Sequence, residues 1–157
     1  MTFYINEQSP KSNNKSYPSF NSRLLKELPI IQCSKSSKVK MVELSKSILN
    51  KTNNYSFIIN ETKSFLSSKF DIDKLTTKLQ NWHQLTFGEF LKELTKQKVV
   101  LSLNEQAAWM QYFNEQKQKA LALKTEIDKT DNEIDAMVYE LYGLTAEEIA
   151  IVEEATQ

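Results

Sequence analysis

The chain has 157 residues, 40% of them hydrophobic and 25% charged. That is one domain's length, and two glycines with three prolines are too few for the turns of an all-β fold. The net charge of zero hides an asymmetry: residues 1–51 sum to +6, residues 52–100 to +2 and residues 101–157 to −8, so nucleic acid, if bound, is expected to meet the front of the chain.

In chain order, residues 1–23 are rich in Ser, Asn and Lys and contain Pro10 and Pro18, which predicts an irregular arm too polar to order itself. LLKELPII follows, with Pro29 biasing Leu28 towards extended backbone. VKMVELSKSILNK carries Met41, Leu44 and Ile48 at helical spacing, and Asn53-Asn54 is expected to end that helix. SFIINETKSFLSSKF predicts a second helix with Ile58, Thr62, Phe65 and Leu66 on one side. FDIDKLTTKLQNWHQL predicts a third, with Ile72, Leu75, Leu79 and Trp82 lining one face and Asp71 as its cap.

Helix starts then become legible. Thr86 precedes Glu89, Ser102 precedes Glu105 and Thr145 precedes Glu148, each by three residues and each opening an apolar run. This is the capping-box pattern, in which the hydroxyl accepts from a first-turn N–H and the carboxylate accepts from the cap's own N–H. The longest helix is expected from Asn104 to Tyr142, roughly 55–60 Å at about 1.5 Å per residue. Trp109, Phe113, Gln116, Ala120, Leu123, Ile127, Thr130, Ile134, Met137 and Leu141 alternate steps of four and three, a coiled-coil seam with polar breaks at Gln116 and Thr130. The DKTDNE stretch around Thr130 is expected to be locally loose. Either the helix near residues 38–51, running antiparallel, or a second chain is expected to cover the seam. Gly143 is expected to stop the helix in left-handed geometry. Thr145 then opens a short return helix whose Ile149 and Val152 fold back on its predecessor.

The fold class expected is therefore all-α: an antiparallel helical array with one long coiled-coil-like helix and a short C-terminal return helix. After the arm, residues 24–157 form one helical module. It comprises an exit segment and basic helix (24–51), short helices (52–101), and the long acidic helix with its stop and return (102–157).

Motifs for chemistry are sparse. Two isolated glycines make no phosphate loop. His83 is the only histidine, so no histidine cluster holds a metal, and it reads as a surface or boundary residue. The lone Cys33 cannot form an internal disulfide and fits a reducing compartment. Catalysis there needs a base that nothing in the sequence places beside it. Glu147-Glu148 and Glu153-Glu154 read as solvated carboxylates near a helix start. Trp82, Phe87, Phe90, Trp109, Tyr112 and Phe113 have the spacing of core residues, not of an exposed platform for bases. No apolar stretch is long enough to span a bilayer and no signal-peptide core follows Met1, so the expected location is the cytoplasm, with no membrane partner.

LPI at 28–30, KLTTKLQNWHQLTFGEFLKEL at 74–94, LSLNEQAAWMQYFNEQK at 101–117 and EIDKTDNEIDAMVYELYGLTAEEIAIVE at 126–153 occur in that order. Together they resemble the C-terminal region of type IIG restriction–modification enzymes and of related adenine-specific DNA methyltransferases. The likeness covers residues 24–155, and its last motif is the most specific. Intact enzymes of that kind join a nuclease, a methyltransferase, a recognition domain and a helical C-terminal segment, and use S-adenosylmethionine and Mg. The NPPY-type methyltransferase motif, the cofactor loop and the nuclease carboxylate–lysine signature are all missing from this sequence. The resemblance thus implies the terminal helical module alone (a cloned fragment, a split subunit or a remnant gene), with no catalytic, cofactor or metal residue of its own.

The function expected is that of a non-catalytic DNA-specificity and docking module. Its partners would be double-stranded DNA and the methyltransferase, nuclease and recognition domains of the same enzyme. By analogy with type I specificity subunits, the long helices would act as spacer and dock. Lys35, Lys38 and Lys40, with Arg23 and Lys26 behind, are the candidates for DNA phosphate, positioning the duplex without reading bases. Trp109, Phe113, Leu123, Ile127, Ile134, Tyr139 and Tyr142 are the candidates for docking, with Gly143 as the structural stop. The alternative is a structural helical protein that pairs with a second copy, as a homodimer, and never touches DNA.

Overall fold

The computed structural model of the chain describes residues 31–156; Arg23, Lys26 and the expected arm over 1–23 lie outside them. Among the described residues the fold is all-α. The elements are α1 (Lys35–Phe70), α2 (Thr77–Gln80), a 3-10 turn at Trp82–Gln84, α3 (Phe87–Lys96), α4 (Leu103–Tyr142) and α5 (Ala146–Thr156).

The frame is a hairpin of α1 and α4. Lys51 meets Thr130, Phe65 meets Tyr112 and Phe70 meets Trp109, so numbers rise along one helix as they fall along the other and the pair is antiparallel. The seam of α4 is therefore covered by a helix of the same chain. That helix is longer than its sequence predicts. α1 runs unbroken through Asn53-Asn54 to Phe70. Two asparagines cost a helix a little over ~1 kcal/mol relative to alanine. Tyr55, Ile59, Thr62 and Leu66 continue the seam of Leu44, Ile48 and Lys51 beyond them, and Ile59 and Leu66 are buried. Each such burial is worth about 1.5–3 kcal/mol, so packing outweighs the local preference.

The stretch around Thr130 is not loose. Thr130 is buried, donates its hydroxyl proton to Glu126 O at 2.8 Å and accepts from Lys51 Nζ at 3.0 Å. Lys51 also pairs with the Glu126 carboxylate at 3.0 Å. A satisfied polar layer inside an apolar seam penalises every register that would leave it unpaired.

Residues 72–101 fold over the end of the hairpin where α1 finishes and α4 begins. Trp82, Phe90, Leu79, Leu94 and Leu66 are completely enclosed there. Phe113 is ringed by Trp82, Phe87 and Phe90 at centroid distances of 5.8, 5.6 and 5.0 Å. Ile72, Leu75, Leu79 and Trp82 all reach this core as their spacing predicts. The backbone that delivers them is not one long helix, however: α2 is a single turn, capped by Thr76, whose hydroxyl accepts from Leu79 N at 3.2 Å. Asp71 is not the N-cap. It sits at φ 52° just past the end of α1, and Ile72 N donates back to Ser67 O at 3.0 Å.

The same stop recurs. Lys98 at φ 63° follows α3, with Val99 N donating to Leu94 O, and Gly143 at φ 62° follows α4, with Leu144 N donating to Tyr139 O. All three are left-handed helix ends, but only one uses the residue suited to that geometry. The three expected capping boxes form, with Thr86, Ser102 and Thr145 each exchanging bonds with the glutamate three residues on.

All the buried apolar side chains among the described residues lie between Ile59 and Ala120. The rest of the hairpin, 35–58 against 121–142, is a two-helix arm in which Thr130 alone is buried. α5 returns beside the arm only thinly: Ile149 is half-buried, and Ile151 and Val152 are exposed.

Replacing Gly143 by Ala should cost about 1 kcal/mol, since a Cβ there is strained by the positive φ although it meets no neighbour. Lys98→Gly should raise the thermal midpoint. Equal midpoints for wild type and both variants in thermal unfolding would contradict the left-handed stops.

Candidate functional site

The sequence-predicted residues fall into two places. Lys35, Lys38 and Lys40 lie in the first two turns of α1, exposed, and none forms an ion pair with a described residue. At 3.6 residues per turn, Lys35 and Lys38 share one side, and Lys40 lies about 150° round from them. The three do not make a single patch. The side of α1 opposite the seam instead carries Lys35, Val39, Val42, Lys46 and Leu49, and the three apolar residues are each at least half exposed.

The docking candidates on α4 are spread along its whole length. Phe113 belongs to the core, and Trp109 is half-buried under Phe65 and Phe70 at 5.4 and 5.0 Å. Leu123, Ile127 and Ile134 are half-buried on the stripe that contains Ala120 and Thr130. Tyr139 is half-buried, and desolvation, then the nearby Asp135 and Glu153 carboxylates, push its hydroxyl above the usual tyrosine pKa. Tyr142 is 45% exposed beside the Gly143 stop. The seam that remains partly open to solvent is thus the arm's, not the core's.

Two further polar groupings were not legible in the sequence, because their members come from distant segments. In the first, Glu93 of α3 is buried, accepting from Thr76 Oγ1 at 3.1 Å and Lys96 Nζ at 2.6 Å. The Lys96 hydrogen bond, against the opposing effect of burial and with help from Thr76, holds this carboxyl below its ordinary pKa. It ties α2 to α3 and faces no cleft with a second carboxylate.

In the second, Tyr55 of α1 and His83 of the 3-10 turn meet, with Tyr55 Oη and His83 Nε2 3.0 Å apart. His83 Nδ1 is buried without a hydrogen-bond partner among the described residues. Two clefts flank this pair. One, of about 360 Å³, is lined by Tyr55, His83, Gln84, Lys117, Leu121 and Lys124. The other, of about 400 Å³, adds Asn60, Lys63 and Asn81. Burial, then the Lys63 and Lys117 charges, lowers the His83 pKa from the ordinary 6.5, so the ring is neutral at pH 7. No group of three His, Cys, Asp or Glu among the described residues is placed to hold a metal ion. No helix among the described residues is long and apolar enough to cross a membrane.

Residues 34–138, about two thirds of the chain, match the family described as a domain of unknown function, DUF8810. The chain belongs to that family. The matched span takes in α1, the core and most of α4, so the hairpin with its folded end is the family's unit. No curated protein and no solved structure matches the chain.

Stability should fall on acidification in two stages. The lowered His83 pKa stabilises the fold above its unfolded value near 6.5, and that contribution is lost as pH drops from there through the folded value. Glu93, Glu89 and Glu105, all held below the ordinary 4.5 by their hydrogen bonds, keep their contribution until pH passes below that range. Urea midpoints measured from pH 7.5 to 3 should show both stages, and His83→Gln should remove only the upper one. A wild-type midpoint that stays level between pH 7 and 5.5 would contradict the buried neutral ring.

Proposed function

We propose that the chain is a non-catalytic docking module of a DNA-acting enzyme, with the hairpin as spacer and the arm as the part that other domains grip. One observation carries the docking half of this reading: among the described residues the arm's seam is built by two helices, with α5 only thinly beside it. Met41, Leu44 and Ile48 of α1 and Leu123, Ile127 and Ile134 of α4 are left half-buried in it. A two-helix seam of that length gains most of its remaining burial from an added surface. The DNA half is supported by the sequence resemblance to the C-terminal region of type IIG restriction–modification enzymes and by the charge of α1. That helix has seven lysines against two glutamates, whereas the facing α4 has four lysines against eight carboxylates. Such a division directs phosphate to the α1 side and a basic or neutral protein surface to the α4 side.

A second reading is favoured by Val39, Val42 and Leu49, which form an exposed apolar stripe on the outer side of α1. On this reading the stripe pairs with another copy of the chain, and DNA plays no part.

A duplex-binding titration over a salt series separates the two. The docking reading predicts weak binding that falls steeply with salt, with a slope of about −0.9 per phosphate neutralised. The triple substitution of Lys35, Lys38 and Lys40 to Gln should flatten that slope. A stable dimer that Leu49→Glu dissociates, with no affinity for DNA, would favour the second reading and remove the first.

A further inference from the structure

The two clefts beside Tyr55 and His83 lie where the arm meets the packed end, and neither function above uses them. They share Tyr55, His83 and Gln84, and their lining side chains include three lysines and no carboxylate: Lys117 and Lys124 on one side, Lys63 on the other. Two of those lysines have protein partners. Lys117 Nζ donates to Leu85 O at 2.7 Å, and Lys124 pairs with Asp128 one turn along α4. Asp128 and Asp131 are the carboxylates whose charges reach Lys124 on α4; on α1 the facing groups are Tyr55 and Lys63. An ammonium has three N–H donors, so Lys117 keeps donors to spare after its bond to Leu85.

The tyrosine supplies another donor. His83 Nδ1 is buried and unpartnered, and a proton there would be an orphaned buried N–H, the rarer and costlier kind of unsatisfied group. The ring proton therefore belongs on Nε2, where Tyr55 Oη accepts it at 3.0 Å. That leaves the Tyr55 O–H hydrogen free to turn outward. A phenol donor, spare ammonium donors and a half-buried imidazole converge on one concave surface.

We propose that this surface is a binding site for a phosphate oxyanion, held by Tyr55 Oη, Lys117 and Lys124, with Lys63 reinforcing the field from the adjoining cleft. The proposal is independent of the docking reading. A phosphate group can arrive as a free or small-molecule phosphate or as the backbone of a duplex. The chemistry of the site is the same for both.

The single histidine gives the test an unambiguous signal. The imidazole resonances of His83 in the full chain are followed through a pH titration in chloride, in inorganic phosphate and with a short DNA duplex, at matched ionic strength. A bound anion favours the imidazolium, so its pKa should rise in phosphate; a rise of about one unit means tenfold tighter binding to the charged ring. Lys63→Met and Tyr55→Phe, each with helical content intact by circular dichroism, should weaken phosphate binding severalfold. The control Lys92→Met, at a position exposed on α3 and outside both clefts, should not.

If both phosphate and duplex raise the pKa, the site takes a backbone phosphate. If phosphate alone does, the site takes a small ligand, and the proposal stands even where duplex binding fails. An identical His83 titration in phosphate and chloride overturns the site. Duplex binding alongside a His83 titration that neither phosphate nor duplex moves overturns the site and leaves the docking reading intact.

Discussion

The structure depends on the contact between α1 and α4. Each helix is apolar along one narrow stripe and polar elsewhere, so neither can bury enough alone to stay ordered in water. Laid antiparallel, they cover each other, and everything else is placed by that pairing. Residues 72–101 close over one end because the aromatic side chains of α4, Trp109 and Phe113, come level there with Leu66 and Phe70 of α1. The Lys51–Thr130–Glu126 layer supplies what apolar residues cannot, a penalty for sliding. A shift by one turn would leave the Thr130 hydroxyl and the Lys51 ammonium facing hydrocarbon.

That geometry divides the molecule into a well-packed end and a thinly packed arm. The packed end holds every buried apolar residue described, and its polar groups are largely spent on structure: Glu93 on Lys96 and Thr76, Trp82 Nε1 on Ile59 O, Lys117 on Leu85 O. The arm holds the charge separation, the half-open seam and the exposed valines and leucine of α1. On the proposed reading the packed end is the anchor and the arm is the extension that other domains grip. The Tyr55–His83 clefts sit where the two regions join, which would let a bound anion report on that junction.

Much of this was legible in the residues. The alternation of four and three along α4 is long enough to exclude other periods, and its members are the less exposed residues of that helix. The paired hydroxyl and glutamate at each helix start, and Gly143 at the end of α4, are local signals that local structure obeys. What escaped did so for definite reasons. Asn53-Asn54 signal a stop, but the seam on the far side of them was worth more than two asparagines cost. Asp71 and Lys98 hold left-handed stops that no composition rule assigns to them. The spacing of Ile72, Leu75, Leu79 and Trp82 showed which side chains go inward without showing that the backbone between them breaks into a single turn and a 3-10 segment. Of the candidate site, the lysines of α1 were visible as a count but not as two faces. The pairing of Tyr55 with His83 joins residues 28 positions apart and exists only once α1 has continued past Asn54.

The most direct test is a pair of spin labels on the outer surfaces of the hairpin, at Asn53 of α1 and Asp128 of α4, with Cys33 replaced by Ser. Labelled chain is diluted into an excess of unlabelled chain. An intramolecular antiparallel pairing predicts one short distance, on the order of two helix diameters or ~20 Å, that dilution leaves unchanged. A distance much longer than that, or one that disappears on dilution because α4 is covered by a second chain, would contradict it.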